Sequence, residues 1–244
     1  MCGRAYQTYT PEELALRYFN RKPLDLPDFS PNYNLAPTQL CPVIIHRPTG
    51  LQIPGGPQHT ADPSQPQIQL KLFGWGLIPH WSKDIKSAYK MINARSETVA
   101  EKPSFRSAIR HRRCIVPLSG FYEWKREGDV KRPFAISLKG GAIMSVAGIW
   151  ETWEDNTPTF SILTTESNSF MHPIHDRMPV ILNPESAPSS APFKEGWLNP
   201  EIEDPELLKK FFTPCPSAWL EAYEVAPLVN NPRNNTKAVL KPLN

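Results

Sequence analysis

The sequence predicts an α+β fold, a curved, mostly antiparallel sheet or open β-barrel flanked by short helices. Its β-type runs recur at spacings too short for the crossovers of a parallel sheet. Proline is abundant, 28 in 244 residues against 12 glycines, which stiffens loops and cuts helices short. The length suits one domain and is enough to bury ~70–75% of the unfolded surface.

Taken in order, Thr10-Pro11-Glu12-Glu13 is a capping box with proline at the first helical position. It predicts a helix over 11–20 that buries Leu14, Tyr18 and Phe19. Strands follow at 41–47, 68–78, 114–125, 132–138, 142–151 and 159–166. Short helices are predicted at 104–112, 192–199 and 205–212, the last capped by Asp204 with Pro205 at its start. In that helix LLKKFF resembles a sliding-clamp peptide, but Pro205 stands where a glutamine is needed. Docking of Leu208, Phe211 and Phe212 into the core is the reading taken. Residues 48–67 read as a polar, proline-rich surface insertion within a domain spanning 1–230, and 231–244 as a polar tail extended over the surface.

The net charge of +3 decides nothing about nucleic acid, so any such surface must be a local concentration of cations. Cysteines stand at 2, 41, 114 and 215 without a CxxC or paired spacing, which argues against zinc and against a disulfide framework. Charges at Arg4, Glu12, Glu13 and Arg17 interrupt any signal-like run, and no stretch reaches the ~18 apolar residues of a membrane span. These features predict a reduced cytoplasmic or nucleoid protein, monomeric, with no metal and no cofactor.

Cys2 has a chemical property that the other cysteines lack. If the initiator methionine is trimmed, Cys2 carries a free α-amine and a thiol on adjacent carbons. An α-amine titrates near ~7.7–8.0, so a useful fraction is nucleophilic at neutrality. It can add to an aldehyde and lose water to give an imine, and the neighbouring sulfur can then close a five-membered thiazolidine.

Six blocks are richer in functional side chains than a core requires: MCGR at the start, YNLAPTQ at 33–39, GWGLIPHW at 74–81, INARSET at 92–98, GFYEW at 120–124 and HDRMP at 175–179. Together and in this order they resemble the SOS response-associated peptidase (SRAP) family, from residue 2 to about 182, with a fainter echo in VNNPRNN at 229–235. The resemblance implies a single SRAP-type domain that processes abasic sites in single-stranded DNA. Cys2 would cap the sugar aldehyde as a thiazolidine and shield the strand from cleavage, with reversal open to the same groups.

By the same resemblance Glu123 is the acid/base carboxyl. On a strand it faces away from Tyr122 and Trp124, and partial burial would let it shuttle a proton near neutrality. His175 is implied as the second proton-transfer group; His172 competes on spacing, and the HDR context favours His175. Asn93 can neither give nor take a proton, so its role is to orient the Cys2 amine or the sugar oxygen.

Arg4, Arg95 and Arg177 each lie two residues from one of these groups and suit a phosphate cradle. Trp81 suits a stacking or wedging position beside an unstacked base, while Trp75 fits the core. The resemblance adds the loop from Asn34 to Pro37, and Thr164, to the DNA channel. Arg106, Arg110 and Arg113 would share a face of the helix at 104–112, a second basic patch or a solvated one.

Two other functions fit an N-terminal cysteine. One is an N-terminal-nucleophile amidohydrolase or autoproteolytic peptidase, as the family name suggests. The other is a non-covalent DNA reader in which Cys2 is incidental.

Overall fold

The structure, a computed structural model, describes residues 2–19, 27–46, 68–154, 157–183 and 196–243. The proline-rich insertion predicted at 48–67 and residues 192–195 of one predicted helix lie outside these. The elements in order are β1 (Ala5–Gln7), α1 (Pro11–Phe19), β2 (Asn32–Leu35), β3 (Leu40–His46), β4 (Ile68–Trp75), β5 (Asn93–Arg95), α2 (Ala108–His111) and β6 (Arg113–Leu118). They continue with β7 (Gly120–Glu127), β8 (Val130–Leu138), β9 (Met144–Trp153), β10 (Thr157–Glu166), β11 (Arg177–Pro179), α3 (Pro205–Leu208) and β12 (Leu220–Glu224).

The capping box forms at α1: Glu13 Oε2 accepts from the Thr10 N–H at 2.7 Å and Thr10 Oγ1 from the Glu13 N–H at 3.3 Å. Two orphan donors of the first turn are thereby satisfied. Leu14, Ala15 and Tyr18 are buried, and Phe19 packs partly against the same cluster.

Strands β10, β4, β3, β6 and β9 pair in sequence, and β9 pairs back to β10, closing a five-stranded barrel. Pairing is antiparallel except where β10 runs parallel to β4 and to β5. Alternation along the strands sorts side chains to two faces. Val43, Ile45, Phe73, Trp75, Val116, Val146, Phe160 and Ile162 belong to one buried cluster. Ile44, Leu70, Ile115, Ala147, Ile149 and Leu163 turn outward under α1, α2 and α3. Barrel closure leaves these strands without open edges.

A second, antiparallel sheet in the order β2-β1-β7-β8-β12 packs on the first cluster through Cys2, Ala5, Leu35, Phe121, Ile136 and Leu220. The predicted run 114–125 is therefore two strands. β6 belongs to the barrel and β7 to the second sheet, with Ser119 at the crossing.

Three further expectations are corrected. The helix predicted over 104–112 shrinks to Ala108–His111: residues 104–107 are turns, and at the other end the Trp150 N–H donates to the Arg112 carbonyl at 2.8 Å as the chain enters β6. Arg113 is 5% exposed and no part of a basic patch. Its guanidinium donates to the carbonyls of Trp197 (2.7 Å), Ile109 (2.9 Å), Arg110 (2.5 Å) and Asn199 (2.5 Å) and lies over the Trp197 ring. Desolvation lowers its pKa to about 10. The tail is not extended: residues 227–230 and 237–240 form short 3-10 turns, Val229 and Val239 are fully buried, and Pro242 bridges to Val225.

In the segment 205–212 the expected cap and docked face are present, but the α-helix ends at Leu208 and a 3-10 turn follows over Lys209–Phe211. Asp204 caps α3 by accepting from the Glu206 N–H at 2.9 Å, Leu208 is buried, and Phe211 and Phe212 meet the edge of Trp197.

Candidate active site

β1 pairs antiparallel with β7, Ala5 opposite Phe121, and the Tyr122 N–H donates to the Arg4 carbonyl at 2.9 Å. Continuing that pairing carries the first residues alongside Glu123. Phe121 sits in the barrel-side cluster with Cys2, while Tyr122 and Trp124 pack in a separate cluster on the other face. Glu123, between them in parity, falls on the Cys2 side, as its strand position predicted.

Cys2 is 1% exposed. Burial, and after it the Glu123 charge, push its thiol well above the ordinary range. Asn93, at the start of β5, donates from Nδ2 to the Cys2 carbonyl at 2.7 Å, and its own Oδ1 is buried without a hydrogen-bond partner. β5 reaches this point because it pairs parallel with β10, Asn93 beside Ile162.

Glu123 is 5% exposed and its Oε1 accepts from the Trp124 N–H at 3.3 Å. Glu123 and His175 line one cleft of about 400 Å³, together with Trp124, Arg126, Lys131 and Asn230. His175 Nδ1 accepts from the Arg177 N–H at 3.0 Å and lies 2.8 Å from Asp176 Oδ1. Those contacts make opposite demands on Nδ1, a lone pair for the first and a proton for the second. The backbone donor is fixed, whereas the Asp176 side chain is 78% exposed. His172 instead sits beside Ser167 Oγ at 3.4 Å and is not among the residues lining the cleft.

The residues expected along the DNA channel divide. Arg95 is exposed, Trp81 is 57% exposed, and Pro37 is half-buried, with the adjacent Thr38 at φ 73°. Trp75 is fully buried, as the core role requires.

Asn34 and Thr164, however, are 0% exposed and offer no side-chain surface to a channel. The Asn34 amide nitrogen lies within hydrogen-bond distance of the carbonyls of Val229 (3.2 Å), Asn231 (3.0 Å) and Asn234 (3.0 Å), and its Oδ1 accepts from Arg4 Nη2 at 2.8 Å. Arg4 also donates to the Val229 carbonyl at 2.6 Å. Residues 229–234 are thus clamped from MCGR and YNLAPTQ, and this brings Asn230 to the cleft, where its Oδ1 accepts from Trp124 Nε1 at 2.8 Å. Arg177 makes a two-point pair with Glu97 (2.6 and 2.9 Å) and donates to the Thr164 carbonyl at 2.8 Å. That pair holds the Glu97 carboxyl below its usual range.

Sequence reading missed Arg126, Lys131 and Asn230 as cleft residues. The VNNPRNN echo was the one available signal for Asn230; the two cations sit in an ordinary charged hairpin, KREGDVKR.

A family model described as SOS response associated peptidase (SRAP) matches residues 1–232. The chain belongs to the SRAP family. Its SRAP relatives include the abasic site processing protein YoqW of Bacillus subtilis, 40% identical over 250 residues that cover 99% of each chain. Abasic site processing protein YoaM of the same organism is 41% identical over 218 residues, 87% of this chain and 86% of that one. A crystal structure of a protein from Bacteroides thetaiotaomicron superposes with a TM-score of 0.75 at 28% identity, covering 99% of this chain and all of the other. Among the described residues no helix is long and apolar enough to cross a membrane, and no group of three metal-ligating side chains gathers.

Proposed function

We propose that this SRAP protein senses abasic sites in single-stranded DNA and crosslinks to them through Cys2. The observation that carries the reading is the meeting of Cys2, Asn93 and Glu123 from three separated blocks, in a protein whose relatives are abasic site processing proteins. With Met1 trimmed, the α-amine adds to the C1′ aldehyde of the ring-opened sugar and water leaves, giving an imine. The thiol is held protonated by burial and by Glu123, so the amine is the first nucleophile. Glu123 takes the thiol proton as sulfur bonds to the imine carbon, and the imine nitrogen takes up a proton to complete the thiazolidine.

Asn93 fixes the Cys2 carbonyl, holding amine and thiol in one orientation. His175, in the same cleft, donates a proton to the sugar oxygen during ring opening. Arg95 and Trp81 supply exposed phosphate and stacking contacts. Arg4, Asn34, Arg177 and Thr164 serve the channel indirectly, by holding the 229–234 segment and the loop that carries His175.

The test is a denaturing gel after incubation with single-stranded DNA bearing one abasic site. A heat-stable shifted band that disappears in Cys2→Ala and when Met1 is retained is the expected result. Reversible binding without a band, or peptide hydrolysis in its place, would overturn the proposal.

A further inference from the structure

We infer that Arg126 and Lys131 form an anion subsite in the cleft wall that takes a backbone phosphate of the strand whose sugar reacts at Cys2. The inference rests on the crosslinking reading and adds a contact that neither the sequence blocks nor the family match indicates.

The β7–β8 hairpin turns at Gly128, whose φ of 62° suits a tight connection, and its register sets Arg126 directly opposite Lys131. Like charges so placed repel and weaken the ladder unless an anion lies between or over them. The neighbouring cations of the hairpin show the contrast. Lys125 pairs with Glu127 at 2.6 Å, and Arg132 pairs with Glu127 at 3.0 Å and with Glu224. Acids are thus supplied to Lys125 and Arg132, while Arg126 and Lys131 have no ion pair among the described residues.

Both uncompensated cations line the cleft that holds Glu123 and His175. Two other arginines near the site are committed, Arg4 to backbone carbonyls and Arg177 to Glu97, which leaves Arg95 as the one other exposed arginine of the proposed phosphate contacts. A planar guanidinium and an ammonium across one rung can share the oxygens of a single phosphodiester. A phosphate is also the anion that must accompany a reacting sugar into this cleft.

The experiment compares wild type, Arg126→Ala/Lys131→Ala and a charge-matched control, Lys209→Ala/Lys210→Ala, which lies on the distant 3-10 turn after α3. Affinity for intact single-stranded DNA is measured by anisotropy across a salt series, and crosslinking is timed on abasic DNA. Loss of the one shared phosphate contact should reduce the log–log salt slope by about 0.7, and crosslinking at subsaturating DNA should slow about tenfold. The control should leave both unchanged.

Neutral methylphosphonates are then placed one at a time at linkages flanking the abasic site. One position should slow wild type and have no further effect on the double variant. Equal slopes and rates in double variant and wild type, with circular dichroism showing both folded, would overturn the subsite and leave crosslinking standing. Absence of any wild-type crosslink would remove the crosslinking reading, while the slope on intact DNA would still decide whether the two cations bind phosphate.

Discussion

At the scale of single residues, the surroundings of Cys2 keep its thiol protonated. Cys2 is buried beside Glu123, and both effects disfavour the thiolate. The sign is fixed: removing the carboxylate must lower the thiol pKa, since a negative neighbour raises it. In Glu123→Gln, thiolate absorbance, read as a difference against Cys2→Ala, should therefore appear at lower pH than in wild type. Thiazolidine formation should nevertheless slow, because the base that takes the thiol proton is gone. A thiol that titrates no earlier in the variant would separate Glu123 from Cys2. The blocks that hold Cys2, Glu123 and His175 stood out in the sequence because together and in order they resemble the SRAP family. Asn34 and Thr164 were not, because a polar side chain that faces a channel and one that satisfies buried carbonyls look alike in sequence.

At the scale of elements, one glycine fixes the start of β7 and one arginine the start of β6. Gly120 opens β7 where an added Cβ would stand 2.2 Å from Tyr6 Oη and 2.3 Å from the Ile136 carbonyl. The tyrosine could swing aside but the carbonyl could not. Gly120→Ala should cost on the order of 2–4 kcal/mol in urea unfolding and, by prying β1 from β7, should also slow crosslinking.

Arg113 at the start of β6 ties α2 to the Trp197 turn through four carbonyls. Arg113→Met should destabilise by about 3–5 kcal/mol, the scale for stripping a buried charged group from its partners. The salt slope of DNA binding by the folded protein should not change; a smaller slope would restore Arg113 to a DNA surface. The helix at 104–112 was over-read because RSAIRHRR has helical spacing, whereas residues 104–107 form turns and only Ala108–His111 is helical before β6 begins. Long strands such as β8, β9 and β10 were legible as β-type runs, whereas β1, β2, β5, β11 and β12, three to five residues each, are too short to read.

At the scale of the whole molecule, the C-terminal segment packs against the candidate site instead of extending over the surface. Val229 and Val239 are buried, Asn235 Oδ1 accepts from the Tyr33 N–H at 2.7 Å, and Asn230 reaches the cleft. Truncation after Asn235 removes Val239 and the Pro242 bridge. It should lower the melting temperature, with about 1.5–3 kcal/mol lost for the one valine alone, and should slow crosslinking through Asn230. A truncated protein that melts and crosslinks as the full chain does would refute that coupling.

The sequence by itself determined the α+β class, the main strands, the capped helix and the cysteine with its candidate partners, because periodicity, caps and side-chain chemistry are local properties. Only the tertiary structure decided that the barrel closes, that two arginines are spent on carbonyls and a glutamate, and that two hairpin cations share the cleft. Those outcomes depend on which distant backbone groups need a donor, and no local pattern encodes that.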